Sequence, residues 1–108
     1  TTATVLLKGT RTLVASPEHR TSIIRKGTPA LGTAGSGDTL TGVIAALAAQ
    51  GVEPHRATIA GATIHARAGE LAAAKNGLMN TTASDICSCI GAAWMRIAAG
   101  EDTSPWVD

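Results

Sequence analysis

The stretch Gly32-Thr33-Ala34-Gly35-Ser36-Gly37-Asp38-Thr39 gathers three glycines around one carboxylate, and its spacing can be tested against known glycine-loop chemistries. A phosphate loop of the form G-x-x-x-x-G-K-[ST] is met by Gly32, Gly37 and Thr39. Asp38 stands where the lysine must be, and a carboxylate cannot do a lysine's work on a phosphate. A dinucleotide loop G-x-G-x-x-G starting at Gly35 fails at Leu40. A nucleophile elbow around Ser36 fails because Ala34 and Asp38 occupy its glycine positions. What remains is an anion hole, with Gly35, Ser36 and Gly37 presenting backbone N–H groups at the positive end of a helix that begins near Asp38. Asp38 then stands beside the hole as a general base for an attacking hydroxyl. The competing reading makes Asp38 a helix cap and nothing more.

The flanking sequence must position that loop. Thr4 to Leu7, Thr12 to Ala15 and Thr21 to Ile24 read as three short strands, with turns at Lys8 to Arg11 and Pro17 to Arg20. Arg25 to Gly37 reads as a loop. From Asp38 the period becomes helical through Leu40, Val43, Ile44, Leu47 and Ala48, and Gly51 closes this helix. A second helix opens at Pro54, carries its apolar stripe through Ala57, Ala60, Ile64, Ala68 and Leu71, and ends at Asn76-Gly77. Gly61, His65 and Gly69 follow at four-residue steps, small enough to admit a close neighbour. A third helix is capped by Thr82, with Asp85 as a variant capping box, and runs to Gly100. The tail from Glu101 to Asp108 reads as polar and loose, with Trp106 docked on the surface. The first strand places Lys8 and Gly9 at its C-terminal end, where open α/β sheets bind ligands. A buried parallel strand needs more neighbours than this chain supplies, so the natural unit is expected to extend before Thr1.

The 108 residues suffice for one domain, and 44% hydrophobic content can build its core without Phe or Tyr. With a formal net charge of +1 and no basic run, nothing electrostatic points to nucleic acid or an anionic membrane. Cys87 and Cys89, two apart on a helix, point to opposite sides, which excludes a mutual disulfide, and two thiols make no zinc site. They are expected to be buried or half-buried. No apolar stretch is long enough to span a bilayer and no secretory signal is recognisable, so a cytoplasmic location is expected.

Gly35-Ser36-Gly37-Asp38 resembles the G-x-G-D signature of the ribokinase-like superfamily. Residues 31–51 are similar to the NAD(P)H-hydrate dehydratases in particular. So are Val5-Leu6-Leu7-Lys8-Gly9 followed by Thr12, and Ile64-His65-Ala66-Arg67-Ala68-Gly69-Glu70, close to that family's His-Gly-x-Ala-Gly-Asp. The resemblance runs from about Thr4 to about Ala99. It implies an α/β fold, the C-terminal portion of a three-layer α/β/α ribokinase-like domain, with short strands followed by three helices. Residues 1–100 would belong to the catalytic domain and 101–108 would be a tail. The implied activity is ADP- or ATP-dependent dehydration of hydrated NADH and NADPH (NADHX and NADPHX), by phosphoryl transfer to the hydrate hydroxyl and loss of phosphate. Asp38 would contact that hydroxyl and take its proton. Lys8, Gly9, Thr10, Arg11, Thr12 and Gly37 would contact the nucleotide, and the Gly35, Ser36 and Gly37 amides the transferring group. Mg²⁺ is implied as cofactor, with no protein ligand singled out. This sequence departs from the family's pattern at Ala34, Ala66 and Glu70, and Ala34 would be strained if its φ had to be positive.

Two other functions fit the same loop: a ribokinase-like kinase acting on a vitamin precursor such as hydroxyethylthiazole, and a catalytically silent nucleotide-binding or oligomerisation module. His65 reads as a packed, hydrogen-bonded residue more than a proton shuttle. Arg20, Arg25 and Lys26 read as a solvated patch, Met79 and Met95 as gap-fillers, and Trp94 as core or interface. An incomplete sheet would leave an apolar face open, so association, as a homo-oligomer, is expected. The chain alone is expected to lack dehydratase activity.

Overall fold

The computed structural model describes residues 2–9 and 11–108, so the expectation placed on Thr10 lies outside the described residues. The fold is α/β. Three strands come first: β1 (Val5–Leu7), β2 (Leu13–Ser16) and β3 (His19–Ile23). Helices α1 (Ser36–Ala49), α2 (Pro54–Asn76), α3 (Ala83–Ser88) and α4 (Ile90–Ala98) follow, and β4 (Trp106–Val107) closes the chain. The sheet order is β1-β2-β3-β4 and each pairing is antiparallel. The first strand is therefore a member of a meander, not the parallel strand its sequence suggested. A two-residue turn after Ser16 lets His19 and Arg20 join β3, and a register shift between Val14 and Ser16 absorbs it.

Strand alternation gives the sheet two unlike faces. Leu6, Val14 and Ser22 lie in register on the face toward the helices, where Val14 packs with Leu40, Ala62 and Ala66. Leu7, Leu13, Ile23 and Trp106 lie in register on the other face. There Leu7 is 63% exposed and Val5 50%.

The helix layer is organised by α2. Its start is set by Pro54 at the first helical position and by Glu53, whose carboxylate accepts from the amides of His55 and Arg56. Its inner side is small: a Cβ at Gly61 would lie 2.6 Å from Ile44 Cγ1 and 3.2 Å from Ile44 Cα, and one at Gly69 2.5 Å from Leu31. These two glycines, eight residues apart on α2, thus let α1 and the loop before it lie directly on α2. A second apolar cluster joins Leu47, Ile64 and Ala68 to Ile86 of α3 and Ala93 of α4. Thr82 and Asp85 form the expected capping box. The single third helix is instead broken at Cys89, where its amide turns back to the Ile86 carbonyl in a tight three-residue step.

The tail is not loose. Ser22 pairs with Val107 and Ile23 with Trp106, the Asp108 amide donates to the Thr21 carbonyl at 2.7 Å, and Arg20 Nε donates to the Asp108 carbonyl at 2.7 Å. Cys87 and Cys89 are free, and Cys87 is exposed. Met79, Met95 and Trp94 are also exposed, so none of them fills the core. No helix among the described residues is long and apolar enough to cross a membrane.

Candidate functional site

The glycine loop is folded by its own hydrogen bonds. Thr28 caps a 3₁₀ turn at Pro29–Gly32, its hydroxyl accepting from the Ala30 amide. The Thr33 amide then donates to Ala30, and the Ser36 amide to Thr33. At Gly35 the chain takes φ +86°, a left-handed turn that favours glycine, and enters α1. The amides of Asp38 and Thr39 both donate to the Gly35 carbonyl, at 3.2 and 3.3 Å.

This geometry bears on two details of the expected anion hole. The Ser36 amide is committed to Thr33, so among the three amides only those of Gly35 and Gly37 lack a backbone acceptor among the described residues. The loop residue with a positive φ is Gly35, and Ala34 is unstrained because no described non-glycine residue has positive φ. Asp38 lies exposed in the first turn of α1, and no side chain caps this terminus.

Ser36 is turned inward instead. It is 1% exposed, and its hydroxyl shares a 3.2 Å hydrogen bond with Nε2 of His65, itself 2% exposed. Burial holds His65 below the usual imidazole range, the Lys8 ammonium adds to this, and a hydrogen bond with the Ser36 backbone opposes it. His65 is thus the packed, hydrogen-bonded residue its setting suggested, and it ties α2 to the floor of the loop. Lys8 reaches the loop from the end of β1, its Nζ 3.9 Å from where a Gly37 Cβ would stand.

Beside the loop lies a cavity of about 730 Å³. Lys8, Gly9, Arg11 and Thr12 line it, together with Arg25, Lys26 and Trp106, which sequence reasoning had not assigned to a site. The loop contributes Gly27, Thr28, Pro29, Leu31 and Gly32 to the lining; Gly35 to Asp38 stand outside it, and Lys8 joins the two regions. The only hint of Arg25 and Lys26 was two adjacent cations leading into the glycine loop. Glu70, at the position that departs from the family's aspartate, accepts from the Gly27 amide at 3.0 Å and pairs with Arg67 at 3.3 Å. Arg67 in turn makes a bidentate pair with Glu101 at 2.9 and 3.0 Å, so one network fixes the loop, α2 and the start of the tail. Among the described residues no group of three or more His, Cys, Asp and Glu side chains forms a metal position.

Short strands leading to a glycine turn, a helix N-terminus and an exposed carboxylate place the chain in the ribokinase-like α/β class. The family described as NAD(P)H-hydrate dehydratase is matched over residues 1–91, and the chain belongs to that family. It is 46% identical over 84 residues, 78% of its length, to the bifunctional NAD(P)H-hydrate repair enzyme Nnr of Moorella thermoacetica. It is 49% identical over 69 residues, 64% of its length, to the ADP-dependent (S)-NAD(P)H-hydrate dehydratase of Neisseria meningitidis serogroup B. To the enzyme of that same name from Xanthomonas campestris pv. campestris it is 42% identical over 82 residues, 76% of its length. The chain spans 16%, 23% and 28% of these relatives respectively.

Proposed function

We propose that this chain is the C-terminal part of an ADP- or ATP-dependent NAD(P)H-hydrate dehydratase and carries its anion hole and its base. The observation that supports this most is the placement of Asp38, in the exposed first turn of α1 and one residue beyond Gly37, at a terminus that no side chain caps. In this reading the nucleotide occupies the cationic cavity and its terminal phosphoryl group reaches the Gly35 and Gly37 amides, with Lys8 alongside. Asp38 takes the proton from the hydrate hydroxyl as that oxygen bonds to phosphorus and the bond to the departing nucleotide breaks. With ADP as donor, AMP leaves. The phosphate ester on the nicotinamide ring is then eliminated as inorganic phosphate, which restores the ring double bond. Mg²⁺ would arrive with the nucleotide and spread the phosphate charge. Since the described residues form no cage for it, its ligands would be mainly water and phosphate oxygens.

The direct experiment is an assay of the full-length protein on NADHX with ADP as the only phosphoryl donor. NADH absorbance is expected to recover with stoichiometric AMP. A stable phosphorylated product without NADH would assign the site to a small-molecule kinase, and ADP binding without turnover would assign it to a silent nucleotide module.

A further inference from the structure

We propose that Trp106 is a positioning residue for a phosphate-bearing ligand, its indole holding the Arg11 and Arg25 guanidinium groups in place on the cavity wall. The proposal rests on the nucleotide reading of that cavity and adds an element the family match does not reach, since Trp106 lies beyond residues 1–91. Four cations, Lys8, Arg11, Arg25 and Lys26, line the cavity, and no carboxylate is among its lining residues. They are four of only nine Lys and Arg residues in a chain of net charge +1, so positive charge is concentrated there. Its volume, about 730 Å³, is within the range of small-ligand sites.

Arginine side chains are long and lose rotamer freedom when held in one place. Arg11 lies with its guanidinium carbon 4.7 Å from the centre of the Trp106 ring, and Arg25 at 5.9 Å, both within reach of the ring's negative face. Arg25 is also held by Asp102 at 3.1 Å and by the Ser104 carbonyl at 3.2 Å, both from the same terminal segment. The indole is a fixed platform because its own backbone is paired with β3 and flanked by the Asp108 bonds to Thr21 and Arg20. The terminal segment therefore supplies no cation of its own but orients two supplied by the segments just before β2 and just after β3. A nucleoside diphosphate, or any ligand with a diphosphate, is the class that such a wall would hold.

The test is calorimetric binding of ADP and of inorganic pyrophosphate to the full-length protein. Trp106→Ala is expected to weaken both by roughly five-fold, the size of a cation–π contact at a partly exposed site. Trp106→Phe, which keeps an aromatic face and guards against loss of folding, is expected to stay within about two-fold of the unaltered protein on the same scale. In an Arg11→Ala, Arg25→Ala background, Trp106→Ala is expected to add almost nothing. Loss of ADP but not pyrophosphate affinity would overturn the proposal, because the indole would then be contacting the base. Unchanged binding of both by Trp106→Ala would overturn it while leaving the nucleotide reading intact. Failure of the unaltered protein to bind either probe would overturn both.

Discussion

Ser36 and Asp38 are two residues apart on one helical turn, and the turn delivers them to opposite environments. Ser36 is buried against His65, while Asp38 faces solvent beside the Gly37 amide. The motif made both visible in the sequence, but not this division of labour, which depends on a histidine 29 residues away. Gly35 is the residue whose backbone makes the division possible. An alanine there would take φ +86° and place its Cβ 3.2 Å from Ala83 Cβ. Gly35→Ala is expected to cost about 1–2 kcal/mol of stability from the left-handed conformation, and to weaken ADP binding as well. Denaturant midpoints and calorimetry check the pair of effects; a variant as stable as the parent would remove the need for the glycine. The buried histidines set a pH dependence. His65 is lowered by burial and then by Lys8, and His55 by burial and then by His19, stacked on it at 3.9 Å. Both folded values lie below the unfolded value of about 6.5, so the unfolded chain binds more protons as pH falls through that value. Stability is full above it and declines below. The shifted carboxylates, Glu53, Asp85, Glu101 and Asp102, are all lowered and titrate only at more acidic pH. A urea midpoint at pH 5.5 below that at pH 7.5 is expected, with a smaller difference in His55→Gln; equal midpoints would contradict it.

At the scale of elements, α1 and α2 were legible because each carries a long periodic apolar stripe and explicit end signals, Gly51, with φ +92°, and Pro54. The three strands were legible as extended chain. Their antiparallel pairing was not, since strand partners are chosen by contacts distant in sequence. The break at Cys89 was hidden because Ile86, Ile90, Ala93 and Ile97 keep a helical rhythm across it. The tail was misread for a related reason: eight mostly polar residues carry no pattern, and Trp106 and Glu101 gain their roles from Arg11 and Arg67, far back along the chain. The glycine steps on α2 were informative because they state how near a neighbour must come. Gly61→Ala places a methyl group against the Ile44 side chain and near its backbone. Destabilisation of about 1–3 kcal/mol is expected from such overpacking. Gly42→Ala on α1, where nothing lies within 4 Å, serves as the neutral control. Thermal denaturation of the two variants checks this, and equal melting points would show that α1 and α2 can separate without cost.

For the whole molecule, the sheet has one face packed on helices and one face, with Leu7, Val5 and Trp106, open to solvent. The loop, Lys8 and the cationic cavity are held together by α2, which touches every other helix and receives the tail through Arg67. Everything proposed for phosphate capture and proton removal is thus assembled within these residues, whereas nothing here is assigned to the nicotinamide end of the substrate. The central claim is that Asp38 is a base rather than a structural residue of α1. Asp38→Asn in the full-length protein tests it most directly, because asparagine keeps the size and the first-turn position but cannot take the proton. ADP affinity is expected to be retained while NADHX turnover falls by about 10²–10⁴-fold. Turnover near that of the unaltered protein, with ADP still bound, would contradict the claim.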